Sequence, residues 1–95
     1  MQRDALLRVS PDVVFRELAG ESVVLDLSSG RYFGLNAVGT RIWQLIGQGE
    51  TVDALLRAVV AEYQADAPTI ERDVLALLDD LATRGLVVEV PRGNP

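Results

Sequence analysis

The stretch SVVLDLSSGRYFGLNAVGTRIWQLI, Ser22–Ile46, contains the change of hydrophobic period on which the fold turns. Up to Leu35 the pattern is that of extended chain. Val23, Leu25 and Leu27 share one face of a run whose other face carries Ser22 and Asp26, because successive side chains of a strand point to opposite sides. Ser28-Ser29-Gly30 reads as a short loop, and Arg31–Leu35 as the next strand, with two adjacent aromatics and a central glycine. From Asn36 onward the period is 3.6. Val38, Ile42, Leu45 and Ile46 fall on one stripe at i, i+4, i+7 and i+8, behind an asparagine suited to cap a helix.

Upstream, Val13, Phe15 and Leu18 form an earlier extended run that stops at Ala19-Gly20-Glu21. Three strands joined by two tight turns predict an antiparallel meander with the Ser22–Leu27 strand in the middle and the other two at the edges. Downstream, Gly47 and Gly49 end the first helix, and Thr51 caps a second whose inward face is Val52, Leu55, Leu56, Val59, Val60 and Tyr63. The run Ala65-Asp66-Ala67-Pro68 breaks that helix, since proline is tolerated only in a first helical turn. A third helix starts between Ala67 and Ile70 and presents Ile70, Val74, Leu77, Leu78 and Leu81, with Gly85 as its left-handed stop. Leu86–Val90 reads as a last short strand and Pro91–Pro95 as a frayed tail. The fold class is α+β: a three-stranded antiparallel meander followed by three helices, winged-helix-like in outline.

Composition narrows the function. Ninety-five residues suit one domain, spanning 1–95 with an ordered core over about 11–90. The chain is 48% hydrophobic with a mean hydropathy of +0.18, which excludes intrinsic disorder. It has no cysteine, histidine or lysine; all nine bases are arginine. That removes thiolate and imidazole metal sites, Ser-His and Cys-His catalysis, Schiff bases and the P-loop lysine. No cofactor and no metal are expected. Fourteen acids against nine bases give a net charge of −5, which opposes binding to nucleic acid. No apolar run approaches the ~20 residues of a membrane helix, and Met1–Ser10 lacks the apolar core of a signal peptide. A soluble cytoplasmic protein is the expectation.

Two features point to binding. The strand Arg31–Leu35 carries no proline, lysine or inward charge within Tyr32-Phe33-Gly34-Leu35, so its edge is unguarded. An extended peptide can add to such an edge; Leu86–Val90 or a second copy of the chain can equally cover it. On the third helix Asp73, Leu77, Asp80 and Arg84 follow one another at i, i+4, i+7 and i+11, a straight ridge beside the apolar stripe. Facing the open strand, this ridge makes a groove with an apolar floor and a charged rim; left alone, it is a solvated flank. Asp79 and Asp80 are adjacent, but neighbouring helix positions diverge by about 100°, so they do not converge on one substrate atom. Trp43, one position off its stripe, reads as core-edge packing. No residue is assigned a catalytic role.

From Val13 to Val88 the chain resembles the PqqD family, also called RiPP recognition elements. The resemblance is carried by GRYFGLN (Gly30–Asn36), Gly39, Ile42-Trp43 and Leu45, then Gly49 and Thr51-Val52. Tyr63, Asp73-Val74, Leu81 and Arg84-Gly85-Leu86-Val87 complete the set. Within the family it is most similar to the stand-alone leader-binding proteins of lasso-peptide biosynthesis. It departs from the PqqD of pyrroloquinoline quinone synthesis, which has a Pro-Glu-Gly turn and a Cys-Asp-Gly where this chain has Ser28-Ser29-Gly30 and Gln48-Gly49-Glu50.

The resemblance implies a non-catalytic protein that binds the leader segment of a precursor peptide. The leader adds as a strand to edge 31–35 against helix 69–84. Arg31, Tyr32, Phe33 and Gly34 then supply the strand edge, Val74 and Leu77 the floor, and Asp73, Asp80 and Arg84 the rim. Asp73 has a second reading, as a structural residue holding the turn before its helix. The implied partners are the precursor peptide, a leader peptidase of transglutaminase-like type and the cyclase of a lasso pathway, with the protein a monomer or weak dimer. The rivals are a PqqD-type peptide chaperone for a radical SAM enzyme, a winged-helix nucleic-acid binder and a plain dimerisation subunit.

Overall fold

The computed structural model describes residues 1–64 and 66–90. Its elements are β1 (Leu7–Val9), β2 (Val13–Leu18), β3 (Glu21–Asp26), β4 (Arg31–Leu35), α1 (Ala37–Gly47), α2 (Val52–Tyr63), α3 (Ala67–Thr83) and β5 (Val87–Glu89). Strands β2, β3 and β4 form an antiparallel meander in that order, with β3 central as the turn spacing predicts. The first of its turns, Ala19-Gly20, has positive φ at both residues (54° and 84°), the twist that suits a two-residue hairpin.

One departure from the sequence reading and one point it left open matter. Strand β1 was not expected: three residues are too few to display a period of two. Leu7 is buried, and β1 pairs with β5 through Leu7↔Glu89 and Val9↔Val87. The Leu86–Val90 segment is therefore engaged with the N-terminal segment and does not cover β4. Among the described residues β4 pairs with β3 alone.

The second point is the sense of the sheet, which the sequence reading left unassigned. Val23, Leu25 and Leu27 do share a face, but the core takes the other one. Val24 is fully buried and Ser22 almost so, while Val23 and Leu27 are exposed. A polar residue is tolerated inside because the Ser22 and Thr40 hydroxyls hydrogen-bond to each other at 2.7 Å. Phe15, on the same inner side, stacks on Trp43 of α1 with ring centroids 5.9 Å apart. Leu18 has the opposite parity from Val13 and Phe15 and is exposed.

The helices begin where their caps stand. Asn36 Oδ1 accepts from the Gly39 amide, Thr51 Oγ1 from Ala54 and Asp66 Oδ2 from Thr69. Pro68 lies in the first turn of α3, which ends at Thr83 with Arg84 as cap, so the helix starts earlier and stops sooner than the 69–84 span. Gly85 takes φ 74° and closes it. Ile42, Leu55, Leu56, Leu78 and Leu86 are the largest fully buried side chains, each contributing about 1.5–3 kcal/mol by burial. On α2 the inward face is Val52, Leu55, Leu56 and Val59; Val60 is half-buried and Tyr63 exposed, so the stripe runs out before the helix ends. The break read at Ala65-Asp66-Ala67-Pro68 falls where α2 has ended at Tyr63 and Asp66 caps α3; Ala65 itself and the tail Pro91–Pro95 lie outside the described residues.

Candidate functional site

Between the free edge of β4 and the flank of α3 runs a groove of about 530 Å³. Gly34, Leu35 and Asn36 line it from the strand side, Val38, Gly39 and Ile42 from α1, and Asp73, Val74 and Leu77 from α3. It exists because α3 packs on α2 and β5 rather than on β4. A second hollow of about 320 Å³ adjoins it, bounded by Val59 and Tyr63 of α2 and Ile70 of α3. The two share Val38, Asp73 and Val74 and so form one trough that continues past the end of the strand.

The residues singled out from the sequence divide into three groups. Gly34, Asp73, Val74 and Leu77 line the groove. Arg31, Phe33, Asp80 and Arg84 do not. The Arg84 Nε donates to both carboxylate oxygens of Asp80 at 3.1 Å, and its guanidinium lies 4.8 Å over the Phe33 ring. This cluster stands at the end of the trough away from Asn36. Arg31 pairs across from Asp26 at the start of the strand. Tyr32 turns to the outer side of the sheet, where it is 71% exposed. Asp73 sits in the interior of α3, well past the turn that Asp66 caps, which rules out the reading of it as a holder of that turn. It is exposed, with Arg72 Nε 3.5 Å away.

The sequence reading missed the wall made by α1. Val38 was seen only as the start of a core stripe, yet it borders both hollows. Gly39 had a physical signal: a Cβ there would lie 3.2 Å from the Leu35 Cβ, so glycine lets the helix start this close to the end of the strand without displacing Leu35.

The adjacent carboxylates diverge. Asp79 faces the N-terminal amine at 3.3 Å, whereas Asp80 faces Arg84. Among the described residues no cluster of carboxylates could hold a metal ion. No helix there is long and apolar enough to cross a membrane.

An unpaired strand edge offers a ladder of backbone donors and acceptors, and the adjoining groove takes every second side chain of a strand laid along it. An edge and groove of this kind can receive an extended peptide by strand addition. The family model described as Coenzyme PQQ synthesis protein D (PqqD) matches residues 21–87, and the chain belongs to that family. Two curated relatives from strains of Rhodopseudomonas palustris, each named PqqA binding protein, are 33% and 35% identical over 69 residues, 73% of this chain and 68% of theirs. Among solved structures, TbiB1 in complex with the TbiA(β) leader peptide superposes with a TM-score of 0.81 at 40% identity, over 90% of this chain and 99% of that one. A lasso peptide synthetase B1 complexed with its leader peptide gives 0.79 at 27% identity, over 88% and 99%.

Proposed function

We propose that this protein is a non-catalytic recognition module that captures the leader segment of a precursor peptide along β4 and presents it to a leader peptidase or other maturation enzyme, in the manner of lasso-peptide biosynthesis. The observation that carries the reading is the free edge of β4 beside a 530 Å³ groove whose α3 wall is Asp73, Val74 and Leu77. Backbone pairing along β4 supplies affinity whatever the leader's side chains, and the groove selects among leaders. Asp80 is held by Arg84 at 3.1 Å, whereas Asp73 lines the groove with only the longer 3.5 Å contact to its exposed neighbour Arg72; it favours a leader carrying Lys or Arg. The similarity to TbiB1 supports a lasso leader as the ligand. The module does no chemistry; it raises the local concentration of a scissile bond at its partner enzyme, in the cytoplasm, as a monomer or weak dimer.

A second reading has its own support: the relatives named PqqA binding protein favour a PqqA-like peptide and a radical SAM partner enzyme. Calorimetric titration separates the two, using the TbiA(β) leader, PqqA and a scrambled control against wild-type and Leu77→Asp protein. Binding of the TbiA(β) leader alone, lost in the variant, is the expected result. Preference for PqqA moves the protein to the second reading. Binding of neither, or binding unaffected by Leu77→Asp, removes the groove from the function.

A further inference from the structure

The outer side of the meander is the least expected surface of this protein, because the sequence reads as though it should be buried. Val24↔Phe33 is an inner pair, so the flanking pairs Val23↔Gly34 and Leu25↔Tyr32 face outward. Val23 is 44% and Tyr32 71% exposed. Between them on the edge strand Gly34 contributes no side chain, and a Cβ built there meets nothing within 4 Å. The result is a bare notch open toward the free edge, flanked by Val23 and Tyr32, with Arg16 across from Val23 on the far side.

A strand that adds to β4 sends alternate side chains to the two sides of the enlarged sheet. One set enters the groove. The other set lies on the outer face, and one of its members stands directly opposite Gly34, with Tyr32 diagonal to it. We infer that Gly34, Tyr32 and Val23 form an outer-face subsite that takes an aromatic side chain of the bound peptide. This rests on the leader-binding reading and adds to it a second determinant of specificity, on the opposite side of the sheet from the groove.

The preference for a ring follows from the spacing. Neighbouring strands lie about 4.8 Å apart, so Val23 is roughly two strand spacings from the peptide backbone. A short aliphatic side chain stops over the glycine. A flat ring lies across the bare backbone, reaches Val23 and meets Tyr32 along the diagonal, a separation aromatic side chains span. Covering an edge glycine with a cross-strand aromatic is a known way to restore the packing that glycine removes. With any residue larger than glycine at position 34, its own side chain takes the space the ring needs.

The test is a selection of random peptides displayed on phage against the wild-type protein. Individual binders are then titrated against Gly34→Val, Tyr32→Ser and Leu77→Asp. Valine suits an edge strand and Tyr32 is exposed, so both outer-face variants should melt close to wild type, which thermal unfolding checks. Leu77→Asp sensitivity marks the groove-facing positions of each binder; the outer positions are the alternate ones. The expected result is an aromatic at one outer position, whose replacement by Ala weakens binding about fivefold to wild type and changes nothing in Gly34→Val. Binders without an outer aromatic, or an Ala replacement equally costly in both proteins, overturn the subsite and leave leader capture standing. If no peptide binds, or binders ignore Leu77→Asp, leader capture fails and the subsite with it. A wild-type dimer that Gly34→Val dissociates overturns the subsite by showing that a second copy covers the edge.

Discussion

Arg84 lies over Phe33 while it grips Asp80: its guanidinium carbon is 4.8 Å from the ring centroid, and its Nε is 3.1 Å from each carboxylate oxygen. The arrangement ties the last turn of α3 to the middle of β4. At the other end of the groove α1 holds the spacing through Gly39 and Leu35. One end of the trough is thus closed by α3 on β4 and the other by α1 on the end of β4, and α3 stands off from the strand between them.

That relationship is testable as a coupling. Arg84→Ala and Phe33→Leu should each lower unfolding free energy by about 0.5–1 kcal/mol, and the double variant by clearly less than the sum. Arg84→Lys should not restore the wild-type value, because a lysine neither stacks flat nor offers the fork. Urea unfolding of the four variants decides it; strict additivity would mean the contact carries no energy.

Two glycines of α1 should respond to alanine with opposite signs. Gly47 has open space around its Cβ direction, so Gly47→Ala should stabilise by about 0.5 kcal/mol. At Gly39 the new Cβ would meet the Leu35 Cβ at 3.2 Å and its Cδ2 at 3.3 Å, and Leu35 is buried. The overpacking should exceed the gain in helix propensity, for a net loss of about 1 kcal/mol. Since Leu35 lines the groove, Gly39→Ala should also weaken peptide binding, whereas Gly47→Ala should leave it unchanged. Thermal melts and titrations of the pair check both statements.

The buried hydroxyls of Ser22 and Thr40 should behave as a unit. Ser22→Ala leaves Thr40 only its 3.4 Å bond to the Leu35 carbonyl and should cost about 1–2 kcal/mol. Thr40→Val, which strands the Ser22 hydroxyl, should cost a similar amount. Ser22→Ala with Thr40→Val removes both polar groups and should cost less than the two single changes together. Equal additivity in denaturant titrations would contradict the pairing.

The same pair explains where the sequence was legible and where it was not. Helix positions, caps and the central place of β3 follow from local patterns: Asn36, Thr51 and Pro68 act within a few residues of where they stand. The sense of the sheet does not. Val23, Leu25 and Leu27 look like a core face, and only Thr40, eighteen residues beyond Ser22, makes the opposite face buriable. The pairing of β1 with β5 is likewise a contact between the two ends of the described chain, invisible to any local window. The α3 wall of the groove was readable as a ridge, since Asp73, Val74 and Leu77 lie on one helix. The α1 wall was not, because Val38 and Gly39 join it only through the turn after Leu35.

The pH dependence of stability should be one-sided. With no histidine, no side chain has an ordinary pKa near neutrality, so unfolding temperature should be flat between about pH 5.5 and 7. Below that, two carboxylates matter. Asp26 is held below its ordinary value, first by the Ser28 hydroxyl and then by that of Ser29, which donate to it at 2.7 and 2.8 Å. Glu62 is held low by the Arg41 fork, at 2.9 and 3.1 Å from Nε. A carboxyl whose pKa is depressed by folding stabilises the native state above its unfolded pKa, and that contribution disappears as pH falls through the folded one. The unfolding temperature should therefore start to drop near about pH 4.5 and keep falling below pH 4. Both groups are largely solvated, so the drop should be shallow, and Asp26→Asn with Glu62→Gln should flatten it further. A melting maximum near pH 6 in the wild-type protein, or an unchanged acid slope in the double variant, would show that other groups control the transition.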